Sequence, residues 1–79
     1  MTIDPRILAI AQANLSAKQY RAFELVHLHG MSLRSAAAYD REHRSTFVDR
    51  YDAAILNLER AGVLIDASNQ PYLAEQEPA

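Results

Sequence analysis

The chain has 79 residues, 49% of them hydrophobic and 23% charged, and it contains no cysteine. That length leaves room for one small domain with a limited core, so an enclosed cofactor cavity or a two-domain cleft is not expected. Absence of cysteine excludes disulfide frameworks, thiolate nucleophiles and cysteine-ligated metals, and a formal net charge of −2 argues against a strong, non-specific nucleic-acid binder.

Charge is unevenly spread. Residues 1–65 hold all eight Lys and Arg against seven acids, and residues 66–79 hold Asp66, Glu75 and Glu77 with no basic residue. This predicts a neutral to slightly basic domain over 1–65 followed by an acidic, partly disordered C-terminal tail over 66–79. No apolar run approaches the roughly 18 residues of a membrane span, and the first residues lack a basic stretch followed by an apolar one. A cytoplasmic protein without a membrane partner is the expectation.

The punctuation is sparse: Pro5, Gly30, Gly62, Pro71 and Pro78. Asp4 suits an N-cap and Pro5 the first helical position, and Ile7, Leu8, Ile10 and Ala11 follow at helical spacing, which predicts a short helix over 4–13. Ser16 with Gln19 three residues on is a capping-box pattern. Tyr20, Phe23, Val26 and His27 then form one stripe before Gly30, predicting a second helix over 17–29. Ser32 is an N-cap candidate for a third short helix, Leu33 to Tyr39, whose alanines allow close packing. The polar run Asp40 to Arg44 interrupts the pattern. Beyond it Phe47, Tyr51, Ala54, Ile55 and Leu58 predict a long fourth helix over 44–61, closed by Gly62. Val63 to Ile65 and Pro71 to Leu73 flank the turn-like Ala67 to Gln70 and suit either a small hairpin or docked coil. Ala74 to Ala79 read as a disordered end. The expected fold is all-α, a small four-helix helix-turn-helix bundle with that hairpin or coil at its C-terminal end.

A short helix, a turn and a longer helix, braced by a preceding amphipathic helix, is the arrangement that presents the start of the last helix to a DNA major groove about 12 Å wide. Arg44, Ser45, Thr46, Asp49 and Arg50, on the first turns of that helix, are expected to carry recognition, and Ser32 and Arg34, at the start of the third, are expected near the DNA backbone. The alternative for Arg44 and Arg50 is an ordinary ion pair with Asp40, Glu42 or Asp49, and one of Ser45 and Thr46 is expected to cap the fourth helix. Over 41–60 the four arginines and four acids balance, so affinity per monomer should be weak and a homodimer would compensate. Val63, Leu64, Ile65, Tyr72 and Leu73 are candidates for its interface or, equally, for packing back on the helices.

The stretch from Leu15 to Leu58, with Gly30-Met31-Ser32-Leu33-Arg34 before the third helix and Arg44-Ser45-Thr46-Phe47 and Arg50-Tyr51 in the fourth, resembles the C-terminal helix-turn-helix of bacterial sigma factors, their fourth conserved region, and its LuxR-like relatives. The resemblance implies a stand-alone DNA-binding module. In the turn, Asp40, Arg41 and Glu42 replace that family's apolar, glycine and apolar residues, and Val48 and Asp49 stand where it often presents basic or amide side chains.

Glu24 and His27, three apart on one helix, supply too few ligands for zinc or iron. No nucleophile elbow or phosphate-binding glycine loop is present. The chain is therefore expected to be no enzyme and to carry no cofactor or metal. It is expected to bind double-stranded DNA as a small transcriptional regulator, a repressor or phage-type control protein. The alternative is a protein-interaction module of the same shape that docks on RNA polymerase, a sigma factor or another regulator.

Overall fold

A computed structural model describes residues 3–76. Four helices, α1 (Pro5–Asn14), α2 (Ala17–Phe23), α3 (Leu33–Tyr39) and α4 (Arg44–Arg60), precede a two-stranded hairpin of β1 (Val63–Ile65) and β2 (Pro71–Leu73). The small, mostly helical fold agrees with the expectation, and the open choice at the C-terminal end is resolved as a hairpin.

The helix starts follow local chemistry. The Asp4 side chain accepts the Arg6 backbone N–H with Pro5 in the first turn, and Ser16 and Gln19 close a reciprocal capping box. Ser32 caps α3 through the Ser35 N–H, and Gly30 and Gly62 end their helices at positive φ, 70° and 93°. Beyond Phe23, α2 widens into a π-helical segment, Glu24–Leu28, whose final bond runs from the His29 N–H to the Glu24 carbonyl at 3.0 Å. Leu25, Val26 and His27 are buried in succession there. An α-helix would spread three such residues over about 200°; here α3 packs on the segment and His27 meets Asn69 and Tyr51.

Helix α4 is the spine, touching α1, α2, α3 and β1. Toward its C-terminal end lies an aliphatic–aromatic cluster of Ile7, Ala11, Phe23, Leu58, Val63 and Leu73. Toward its N-terminal end, Ala22, Leu25, Val26, Ala36, Ala37 and Phe47 form a second cluster, in which α3 packs on α4 and on the π-helical segment.

The hairpin is antiparallel, with Val63 opposite Leu73, Leu64 opposite Tyr72 and Ile65 opposite Pro71. Asp66 builds its loop, accepting the backbone N–H groups of Ser68 and Gln70 on one carboxylate oxygen. Two expectations are corrected here. The boundary drawn at 65/66 passes through the hairpin, because burial of Leu73 beside Val63 draws the expected tail into the core. Of the residues offered equally for an interface and for packing back on the helices, Val63 and Leu73 are core, leaving Leu64, Ile65 and Tyr72 half-buried. Ala74–Gln76 form a 3-10 turn, with the Ala74 N–H bonded to the Gly62 carbonyl at 2.8 Å. The rest of the expected disordered end, 77–79, lies outside the described residues.

Candidate nucleic-acid interface

Four residues, Asp40 to His43, join α3 to α4. Helix α3 ends in a paired-bond cap: the Arg41 N–H meets the Ala38 carbonyl at 3.1 Å and the Glu42 N–H meets the Ala37 carbonyl at 2.9 Å. This geometry places the residue after the cap in the left-handed region, and Arg41 occupies it at φ 56°. Glycine is the usual tenant of that position, so the turn carries backbone strain.

His43 then takes the N-cap of α4 with no side-chain bond to the first turn. Arg44, Ser45 and Thr46 are the first three helical residues, and all three are exposed. Neither Ser45 nor Thr46 caps the helix, contrary to expectation. The helix begins one residue ahead of them, so both lie inside its first turn, where side chains project outward from backbone N–H groups that have no intrahelical acceptor. Arg34 and Asp49 are also exposed. The hydroxyl of Ser32 is engaged in the α3 cap and donates to Ser35 Oγ at 3.0 Å.

Arg50 differs from the other candidates. Its Nη1 donates to Glu42 Oε1 at 2.6 Å, and its side chain is only 27% exposed. The bond holds the Glu42 carboxyl below its usual range, helped by the charge of Lys18. On the other side of the turn, Arg21 of α2 donates from Nε to Asp40 at 3.2 Å and from Nη1 to Glu24 at 3.1 Å, with its guanidinium 5.7 Å from the centre of the exposed Tyr39 ring. Both turn acids are thus neutralised from inside the molecule. Arg34, Arg41 and Arg44 remain as exposed cations that make no ion pair with any described residue. The even charge balance counted along 41–60 therefore misrepresents this end of α4.

Farther along, the outward stripe of α4 turns acidic and apolar: Asp49, Asp52, Leu56 and Glu59 are all exposed, Leu56 by 47%. The helix is polarised, cationic at its start and anionic along its outer flank.

Sequence reasoning missed one polar centre. His27 is buried and bridges two elements, its Nδ1 3.0 Å from the Asn69 carbonyl and its Nε2 2.7 Å from the Tyr51 hydroxyl. A carbonyl only accepts, so Nδ1 carries the proton and Nε2 accepts from Tyr51. Burial pushes the imidazole below its usual value and the Tyr51 phenol above its own. With Glu24 tied to Arg21 and both His27 nitrogens engaged, this pair is committed to internal partners. Both partners of His27 are distant in sequence, so only the matching of a buried imidazole with a half-apolar tyrosine hinted at the contact.

Among the described residues no helix is long and apolar enough to cross a membrane. Comparison with models of known families, with curated proteins and with solved structures finds no match.

Proposed function

We propose that the chain binds double-stranded DNA as a small transcriptional regulator, entering the major groove with the N-terminal end of α4. The observation that carries this reading is the first turn of α4: Arg44, Ser45 and Thr46, exposed and uncapped, follow a four-residue turn whose acids are already paired. An arginine suits guanine or phosphate, hydroxyls and free helix-start N–H groups suit phosphate oxygens, and Arg34 and Arg41 supply further positive charge. Asp49, one turn on, is placed in this reading to accept from a cytosine amino group. The resemblance of Leu15 to Leu58 to sigma-factor region 4 and LuxR-like domains supports the same reading.

The test is selection of duplexes from a random pool at low salt, followed by binding across a salt series. An enriched site is expected, with Arg44→Ala lowering the salt slope by about 0.9, the share of one phosphate. An inverted repeat with half-sites one helical turn apart would identify a homodimer, for which the half-buried Leu64 and Ile65 of the hairpin are candidates. No enrichment would defeat the reading.

A second reading rests on the outer stripe Asp49, Asp52, Leu56 and Glu59, which repels phosphate and exposes apolar surface. It makes the chain a docking module for RNA polymerase, a sigma factor or another regulator. Capture of such a partner by the wild-type protein, lost with Leu56→Glu, is its expected signature.

A further inference from the structure

Lys18, Arg21, Asp40, Glu42 and Arg50 surround Phe47 on the flank of the helix-turn-helix segment. Their pairing has a definite direction. Asp40 and Glu42 belong to the turn, whereas Arg21 belongs to α2 and Arg50 to the second turn of α4. Two helices that the turn does not connect, or connects only at its far end, therefore each grip one of its carboxylates.

The turn needs such restraint. Its central residue, Arg41, is held at φ 56° without the ease of glycine, and α4 starts at His43 with no side-chain cap. The devices that ordinarily fix where a helix begins are missing from the backbone side, and the two ion pairs stand in their place. Phe47, 2% exposed, anchors the next turn into the core directly beneath.

From this arrangement we infer that Glu42–Arg50 and Asp40–Arg21 form a two-sided clamp that positions the first turn of α4 for binding, and that Arg50 is a positioning residue and not a contact. The inference rests on the DNA reading above and divides its candidates: Arg44, Ser45 and Thr46 touch the ligand, and Arg50 acts through Glu42. It also assigns Glu42 a role opposite to its charge. A carboxylate near a phosphate backbone ordinarily weakens binding, whereas a carboxylate in the clamp strengthens it by holding the donors in register.

Three variants separate these roles: Arg44→Ala, Arg50→Gln and Glu42→Gln, each first shown by thermal melting to be folded. On a duplex selected by the wild-type protein, Arg50→Gln should bind roughly two- to fivefold more weakly with an unchanged salt slope, the scale of one partly exposed ion pair. Glu42→Gln should also bind more weakly, despite the lost negative charge. Arg44→Ala alone should flatten the slope. A slope reduced by about 0.9 in Arg50→Gln makes that arginine a phosphate contact and overturns the inference, as does tighter binding by Glu42→Gln. Amide exchange in the free protein tests the clamp without DNA. The Glu42 and Phe47 amides, bonded to the Ala37 and His43 carbonyls, should exchange several-fold faster in both clamp variants. Unchanged exchange overturns the clamp whatever the DNA result, and a wild-type protein that selects no duplex overturns the DNA reading while exchange still decides the clamp.

Discussion

The two ends of α4 are held by different physics. At its C-terminal end Leu58 sits in the cluster with Ile7, Phe23, Val63 and Leu73, and the hairpin is tied down through His27. At its N-terminal end Phe47 packs with Leu25, Val26 and three alanines, and the connecting turn is held by partly exposed ion pairs. The hairpin end therefore carries the stability, because buried apolar area and satisfied buried polar groups are worth more than solvated charge pairs. The turn end carries adjustable, polar, outward-facing groups, which is what a binding surface requires.

Substitution at the hairpin end should have the largest effect. Leu58→Ala leaves a cavity where the wild-type side chain is fully buried, and denaturant unfolding should show a loss of about 2–5 kcal/mol. A loss below 1 kcal/mol would mean that the two ends are not as unequal as their packing indicates.

Next in size is the His27 bridge. His27→Leu keeps apolar volume but strands the Tyr51 hydroxyl, and should cost about 1–3 kcal/mol at neutral pH. Burial lowers the folded-state pKa of His27 below its ordinary value, so the unfolded chain takes up the proton first. The bridge's contribution is thus complete above about pH 6.5, the usual histidine value, and declines as pH falls below it. Stability of the wild-type protein should drop between pH 7 and 5 more steeply than that of His27→Leu. Parallel pH profiles would contradict the neutral bridge.

A smaller, opposite effect is expected in the turn. Arg41→Gly relieves the positive φ and should raise stability by about 0.5–1 kcal/mol in the same unfolding assay, while removing one exposed cation. Destabilisation would show that the Arg41 side chain holds the turn.

The smallest change is Arg6→Ala. Its bonds to Asp4 and Glu75 are among the most exposed in the molecule, and the melting temperature should not move measurably.

Much of this architecture was legible because its signals are local. Asp4 with Pro5, Ser16 with Gln19, and Ser32 each mark a helix start within three residues, and Gly30 and Gly62 mark ends in the same way. The start of α4 was legible only to within a residue: Ser45 and Thr46 have the chemistry of caps, but the strained turn at Arg41 brings the helix to His43 first. For the candidate site, residue types and their order along the helix were readable, and Arg44, Ser45, Thr46 and Asp49 are exposed as that order implies. The status of Arg50 was not. Asp40, Glu42 and Asp49 were all within reach in sequence, and the choice of Glu42 depends on how α3 and α4 cross.

By itself, then, the sequence determined the number of helices, their approximate ends and the apolar stripe of α4, since capping, glycine turns and helical periodicity act over a few residues. Tertiary structure decided the rest: the π-helical widening at Glu24–Leu28, the capture of Leu73 by the core, the bridge from His27 to Asn69 and Tyr51, and the division of arginines into paired and free. The His27 bridge and the Glu42–Arg50 pair join groups 8 to 42 residues apart, and the packing of the helices around α4 sets those meetings.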